Sequence, residues 1–233
     1  MELFTIGHSN HKIESFIALL KKHEVNAIAD VRSHPYSRFL THFNQSSLKK
    51  ALADEGIRYV FLGQELGARP SNQECYFEGK ALYERIAATN TFHEGIQRVL
   101  NGLKKYRLAL MCAEKDPLTC HRAVLVCQHL RHFDLSINHI LKSGDLESHK
   151  HLEERMLAKQ GFKDFTESEK SVVQLSLFSQ QENNLITKEE CLQKAYKLQG
   201  DEIAYVETRN YDHEQENQSI HNRFYSKERA KVL

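Results

Sequence analysis

The sequence is poor in the features that most quickly assign a chain. Its 233 residues hold 32 Lys and Arg against 31 Asp and Glu. A net charge of +1 gives no bulk signal for nucleic acid or an anionic surface. Only local basic patches remain, with 14 His that gain charge at mildly acid pH. No apolar run approaches the length of a membrane span, so no membrane partner is expected. The five Cys are odd in number and show no C-x-x-C pair. That argues against a disulfide framework; Cys112, Cys120, His121 and His8 offer zinc-ligand types, but without paired C-x-x-C or H-x-x-x-H spacing, so neither a metal centre nor a cofactor is expected. The opening "MELFTIGHSN" has no charged leader region or cleavage site, and the reading is a cytoplasmic protein with reduced thiols. No internal period is visible.

What is present is alternation. Residues 3–9, 27–33, 57–63, 107–114 and 136–141 read as strands. Between them, helical periodicity covers 13–24, 46–56, 81–106 (two helices, the second from about Thr91) and 118–133. A charged helix follows at 144–160. This predicts an α/β fold: an open, mostly parallel sheet of about five strands with helices on both faces, plus a polar C-terminal extension. The predicted domain is 1–160, followed by a linker at 161–186 and a polar tail at 187–233, partly disordered, with weak helical periodicity over 187–199. Sheets of this kind bind ligands beyond the carboxyl ends of their strands. All three Pro (35, 70 and 117) fall in those loops, which argues for shaped rather than slack connections.

Three chemistry-bearing clusters end predicted strands. In "LALMCAEKDPLTCHRAVLV", a strand delivers Cys112 and Glu114, and Asp116-Pro117 reads as a helix cap. Cys120, His121 and Arg122 then fall in the first helical turns, a natural place for an anion and for a favoured thiolate. A packing-only reading stands beside this: buried small cysteines, a Glu114–Arg122 ion pair and a surface His121. The second cluster, "DVRSHPYSR", offers Asp30 as a base or water-orienting group, and Arg32, Ser37 and Arg38 for phosphate; an internal Asp–Arg pair is the alternative. The third, "IGHSN", offers a tight Gly turn, His8 and Ser9.

Together "TIGHS", "ADVRSHPYSRF", "GIRYVFLGQELGAR", "FHEGIQRVL" and "LMCAEKDPLTCHR" resemble the bacterial domain of unknown function 488 family, over about residues 1–160. The resemblance implies a compact α/β domain and singles out the residues above together with Gly63, Gly67 and Arg69; it implies no reaction. Ala68 stands where a second Gly is expected.

The polar linker holds one compact apolar stretch, Gln174-Leu175-Ser176-Leu177-Phe178. It resembles the pentapeptide by which bacterial DNA polymerases and mismatch-repair proteins dock on the sliding clamp. Gln174 suits a pocket rim, and Leu175, Leu177 and Phe178 suit an apolar groove. The expected partners are therefore the DNA polymerase sliding clamp and DNA or a nucleotide. The expected function is a DNA-associated enzyme of repair or modified-nucleotide processing, hydrolysing a glycosidic or phosphodiester bond. Asp30, Glu114, His8, His121 and Cys112 are the catalytic candidates. Ser9, Arg32, Ser37, Arg38, Arg69, Cys120 and Arg122 would hold phosphate, with Tyr36, Phe39, Tyr76 and Phe77 available to stack on a base. The alternatives are a non-catalytic nucleotide- or anion-binding module and, more weakly, a rhodanese-like cysteine enzyme, for which the Cys112–Arg122 spacing is too long.

Overall fold

The computed structural model describes residues 1–162 and 187–207. The chain opens with β1 (Glu2–Gly7), α1 (Ile13–Lys22) and β2 (Ala27–Asp30). A 3-10 turn at Thr41–Phe43 leads to α2 (Gln45–Asp54), β3 (Arg58–Phe61) and the short α3 (Gly63–Leu66). A hairpin of β4 (Tyr76–Phe77) and β5 (Lys80–Ala81) precedes α4 (Tyr83–Ala87) and α5 (Asn90–Leu103). After β6 (Leu108–Cys112), the chain forms a 3-10 turn at Pro117–Thr119, a π-helical segment at Arg122–Cys127 and α6 (Gln128–Leu130). Then come β7 (Ser136–Ile140), β8 (Leu146–Ser148), α7 (His149–Lys159) and α8 (Lys188–Ile203).

The main sheet has six strands in the order β3-β2-β6-β1-β7-β8. Five are parallel, and β8 pairs antiparallel with β7 at the edge. The predicted α/β class and its mostly parallel sheet are thus present. Both faces are covered, which is why the strands read as continuous apolar runs. On one face Phe4, Ile6, Ile28, Ala109 and Met111 pack with Phe16 and Leu20 of α1 and Leu48 and Leu52 of α2. On the other, Leu3, Ala27, Ala29, Leu108 and Leu110 pack with residues of α5, α7 and α8. Alternation along β2 and β6 splits the two sets, as a pleated strand requires.

Two stretches depart from the sequence reading. Residues 144–160 are not one helix: Leu146-Glu147-Ser148 completes the sheet, and Ser148 then caps α7 by accepting from the His151 N–H. Residues 118–133 are not one helix either. Asp116 caps a single 3-10 turn and Pro117 starts it, but Cys120 is extended (φ −134°, ψ 135°). That break points the Cys120 thiol at Glu114 instead of continuing the helix. The six residues Arg122–Cys127 that follow are all buried, so this helix is enclosed on every side.

The extension past residue 186 contributes to the core. Thr187 and Glu190 form a capping box, and Cys191, Leu192, Ala195 and Tyr196 of α8 are buried among the residues that cover the sheet. A buried polar chain ties this helix to the sheet. Thr5 Oγ1 meets His139 Nδ1 at 2.7 Å, and His139 Nε2 meets His149 Nδ1 at 3.0 Å. His149 Nε2 meets the Tyr196 hydroxyl at 2.8 Å, and that hydroxyl donates to Glu153 at 2.9 Å. The pentapeptide at 174–178 lies outside the described residues.

Candidate active site

The strand order brings the three clusters together. β6 lies between β1 and β2, so their carboxyl ends are neighbours. The pairing continues past the strands: the His8 N–H donates to Cys112 O, Ser9 N–H to Ala113 O and Val31 N–H to Met111 O. Such a switch point opens a crevice in any sheet of this type. Gly7 makes the approach possible, because a Cβ there would sit 1.8 Å from the Glu114 carbonyl oxygen. Ser9 follows in the left-handed region, with φ 44°. A non-glycine residue holds that conformation only where its surroundings enforce it.

The crevice is a cleft of about 320 Å³. Cys112, Glu114 and His121 form its floor; Arg32, Ser33, His34, Tyr36, Ala68 and Arg69 line one side, and Tyr83, Thr119, Ile203 and Tyr205 another. The Arg69 guanidinium stacks 4.2 Å over the Tyr205 ring. Of the sequence candidates, Cys112, Glu114, His121, Arg32, Arg69 and Tyr36 line the cleft.

The others have structural partners. Both carboxylate oxygens of Asp30 are occupied: Arg32 donates to Oδ1 at 2.9 Å and to Oδ2 at 2.6 Å, and the Tyr59 hydroxyl donates to Oδ2 at 2.8 Å. The internal-pair reading of Asp30 and Arg32 therefore describes the geometry, and Asp30 acts as a support for Arg32. His8 stacks on Phe43 and accepts from Arg32 through Nε2 at 3.2 Å. Burial, then the Arg32 charge, holds its pKa down to about 4, so it is neutral at physiological pH. Arg122 is fully buried and donates to the carbonyls of Glu114 at 2.8 Å and Lys115 at 3.4 Å, and to Thr5 Oγ1 at 3.4 Å. It fixes the loop that carries Glu114 and does not form a side-chain pair with the Glu114 carboxylate. Ser37 accepts from the Phe39 and Leu40 N–H groups and shapes its own loop. Arg38 is exposed, as are Phe39 and Phe77, while the Tyr76 hydroxyl donates to Pro70 O.

On the cleft floor, four groups meet. The thiols of Cys112 and Cys120 lie 3.0 and 2.9 Å from the same oxygen, Glu114 Oε2. His121 Nδ1 lies 3.6 Å from the Cys112 sulfur, and its Nε2–H donates to Val31 O at 2.9 Å. Burial, with Cys120 and Glu114 alongside, pushes the Cys112 thiol well above its ordinary range. Burial opposes ionisation of Cys120 too, but the Cys112 thiol and the Arg122 and His121 charges outweigh it and favour a thiolate there. Burial, then Cys120, raises Glu114, against the opposing bond from the Cys112 thiol. The ligand-type atoms of Cys112, Glu114, Cys120 and His121 all lie within 4.8 Å of one another. Chain spacing had argued against any such set; the turn at Cys120 creates it.

Sequence reasoning missed Tyr83, which it read only as part of a helix, and Ile203 and Tyr205, because the C-terminal segment was read as tail. The available signal was the Thr187-x-x-Glu190 cap ahead of Cys191, Leu192, Ala195 and Tyr196. Among the described residues, no helix is long and apolar enough to cross a membrane. Compared with known families, residues 12–128 match the model described as "Domain of unknown function DUF488". No curated protein and no solved structure matches the chain.

Proposed function

Since the chain belongs to the domain of unknown function DUF488 family, a description that carries no activity, we propose a function from the cleft itself: hydrolysis of a nucleotide or of a modified nucleotide in DNA. One observation carries this reading. A single cleft combines aromatic walls (Tyr36, Tyr83, Tyr205), arginines on one side (exposed Arg69 and the Asp30-paired Arg32) and a carboxylate on its floor (Glu114). Aromatic faces accept a base of any sequence by stacking, and the arginines suit a phosphate. Glu114 is the group that transfers a proton between water and the bond that breaks. In duplex DNA the target nucleotide would have to leave the stack to reach it.

The test is a panel of damaged and modified nucleotides and oligonucleotides, read by mass spectrometry. The expected result is turnover of one substrate class, lost by about 10²–10⁴-fold in Glu114→Gln with folding intact. Saturable binding of nucleotides without any product would sink the hydrolase reading and leave a binding module. Recruitment by the sliding clamp through Gln174, Leu175, Leu177 and Phe178 is part of the same proposal. Calorimetry should give a dissociation constant on the order of micromolar, abolished when Gln174, Leu177 and Phe178 become Ala. A wild-type chain that ignores the clamp removes this part alone.

A further inference from the structure

We propose that Cys112, Cys120 and His121 hold one thiophilic divalent cation, zinc by ligand chemistry, with its fourth position open to the cleft beside Glu114. Two thiolates and an imidazole form a soft, borderline donor set that suits zinc and not magnesium or calcium. The donors come from two short stretches of backbone: Cys112, with Glu114, from the end of β6, and the neighbours Cys120 and His121 from the break between the 3-10 turn and the π-helical segment. The fold brings the two stretches together, so that the ligand-type atoms of all four residues lie within 4.8 Å.

The hydrogen-bond arithmetic points the same way. With a neutral imidazole, two S–H protons face three contacts: Cys112 to Glu114, Cys120 to Glu114 and Cys112 to His121. With Glu114 ionised, one contact is left without a proton. Satisfying all three takes a further proton, either on Glu114 or on His121, and the second choice adds another cation next to the fully buried Arg122 guanidinium. A metal ion among the donors removes the conflict, since it needs lone pairs and no protons.

The surroundings are those of a ligand set held in place. His121 gives its Nε2–H to the Val31 carbonyl, which fixes the tautomer and leaves Nδ1 as the donor. Arg122 clamps the carbonyls of Glu114 and Lys115, so the loop between the two cysteines is held from behind. Glu114 is the one exposed member of the four. Three protein ligands with an open position and a neighbouring carboxylate form the arrangement of a water-activating site rather than a closed structural one. The proposal stands apart from the nucleotide reading, because metal binding is measured without substrate.

The experiment is a titration of the full chain with Co²⁺, after treatment with a chelator and under reducing conditions. The expected result is sulfur-to-cobalt charge-transfer absorption with tetrahedral d–d bands, saturating at one equivalent and displaced by zinc. Cys120→Ser and His121→Ala should each weaken binding by 100-fold or more. Cys127→Ser, a buried cysteine of the same helix outside the set, should leave it unchanged. Glu114→Gln should keep the bands within a few-fold in affinity. A wild-type chain that shows no charge-transfer band overturns the site, whatever the variants do. Unchanged binding in Cys120→Ser overturns the ligand assignment, and a loss in Glu114→Gln as large as in Cys120→Ser overturns the open fourth position.

Discussion

Two of the polar clusters among the described residues are built on opposite plans. In the chain from Arg122 through Thr5, His139, His149 and Tyr196 to Glu153, donors and acceptors alternate. Its direction is fixed, because Arg122 can only donate and Glu153, paired with Arg131, accepts. Every ring nitrogen along it has a partner, as buried polar groups require. On the cleft floor the groups do not alternate but converge: two sulfurs meet one carboxylate oxygen, and an imidazole nitrogen meets one of those sulfurs. Alternation is how a fold satisfies its own polar groups. Convergence of lone pairs is how it prepares to hold something else. Arg122 touches both clusters, so the comparison can be tested from a single residue.

Replacing that residue gives the largest expected effect. Arg122→Ala removes the donor to Glu114, Lys115 and Thr5 at once, inside a fully buried position. The expected loss is about 3 kcal/mol or more by urea unfolding, together with loss of the cleft geometry. A change below about 1 kcal/mol would mean that the two clusters are not joined through it.

Acid separates the clusters next. Burial, then the Arg131 charge, holds His149 down to about 3. Burial and the neighbouring His149, with Arg122 and Arg155 further out, hold His139 well below its ordinary value. The groups facing this pair are Tyr196, Glu153 and Arg131. Both histidines take up protons in the unfolded chain near pH 6.5 but stay neutral in the fold. The unfolded state thus binds more protons below that pH, and stability falls as pH drops from about 6.5 toward 3. Each histidine contributes about 2 kcal/mol of loss by pH 5. Thermal unfolding across that range checks this, and His149→Gln should flatten the slope. A slope unchanged in the variant would move the acid sensitivity elsewhere.

A smaller effect tests the far end of the alternating chain. Tyr196→Phe breaks the links to His149 and Glu153 and should cost about 1–2 kcal/mol. Cobalt binding on the cleft floor should not change. If it did, the two clusters would be energetically coupled through Arg122. The smallest effect belongs to the rim: Arg69→Ala removes the stacked guanidinium over Tyr205 and should cost about 0.5–1 kcal/mol of stability. Its main effect should be weaker binding of phosphate-bearing ligands, read by calorimetry.

The clusters differed in how far the sequence revealed them. Cys112, Glu114, His121, Arg32 and Arg69 could be named in advance, because strand ends in a parallel sheet must share an edge. Asp30, His8 and Arg122 were named as well, but as ligand contacts. Their partners Tyr59, Phe43 and the Glu114 carbonyl are distant in sequence or belong to the backbone, and side-chain type alone does not show them. Chain spacing hid the metal-type set, since the ligands follow a tight turn rather than a C-x-x-C repeat. The alternating chain was invisible altogether: His139 sits in an apolar strand pattern and His149 in a charged helical one, and neither pattern says "paired".

The sequence by itself determined the sheet and its layers, because apolar periodicity and turn residues act locally and recur along the chain. It also determined which three loops carry chemistry. Only the tertiary structure decided which residues of those loops face the cleft and which stand behind it. That choice rests on the extended backbone at Cys120, on the close approach allowed by Gly7 and on the return of Tyr205 from α8. Each of these is a meeting of groups far apart in the chain, set by how the layers pack.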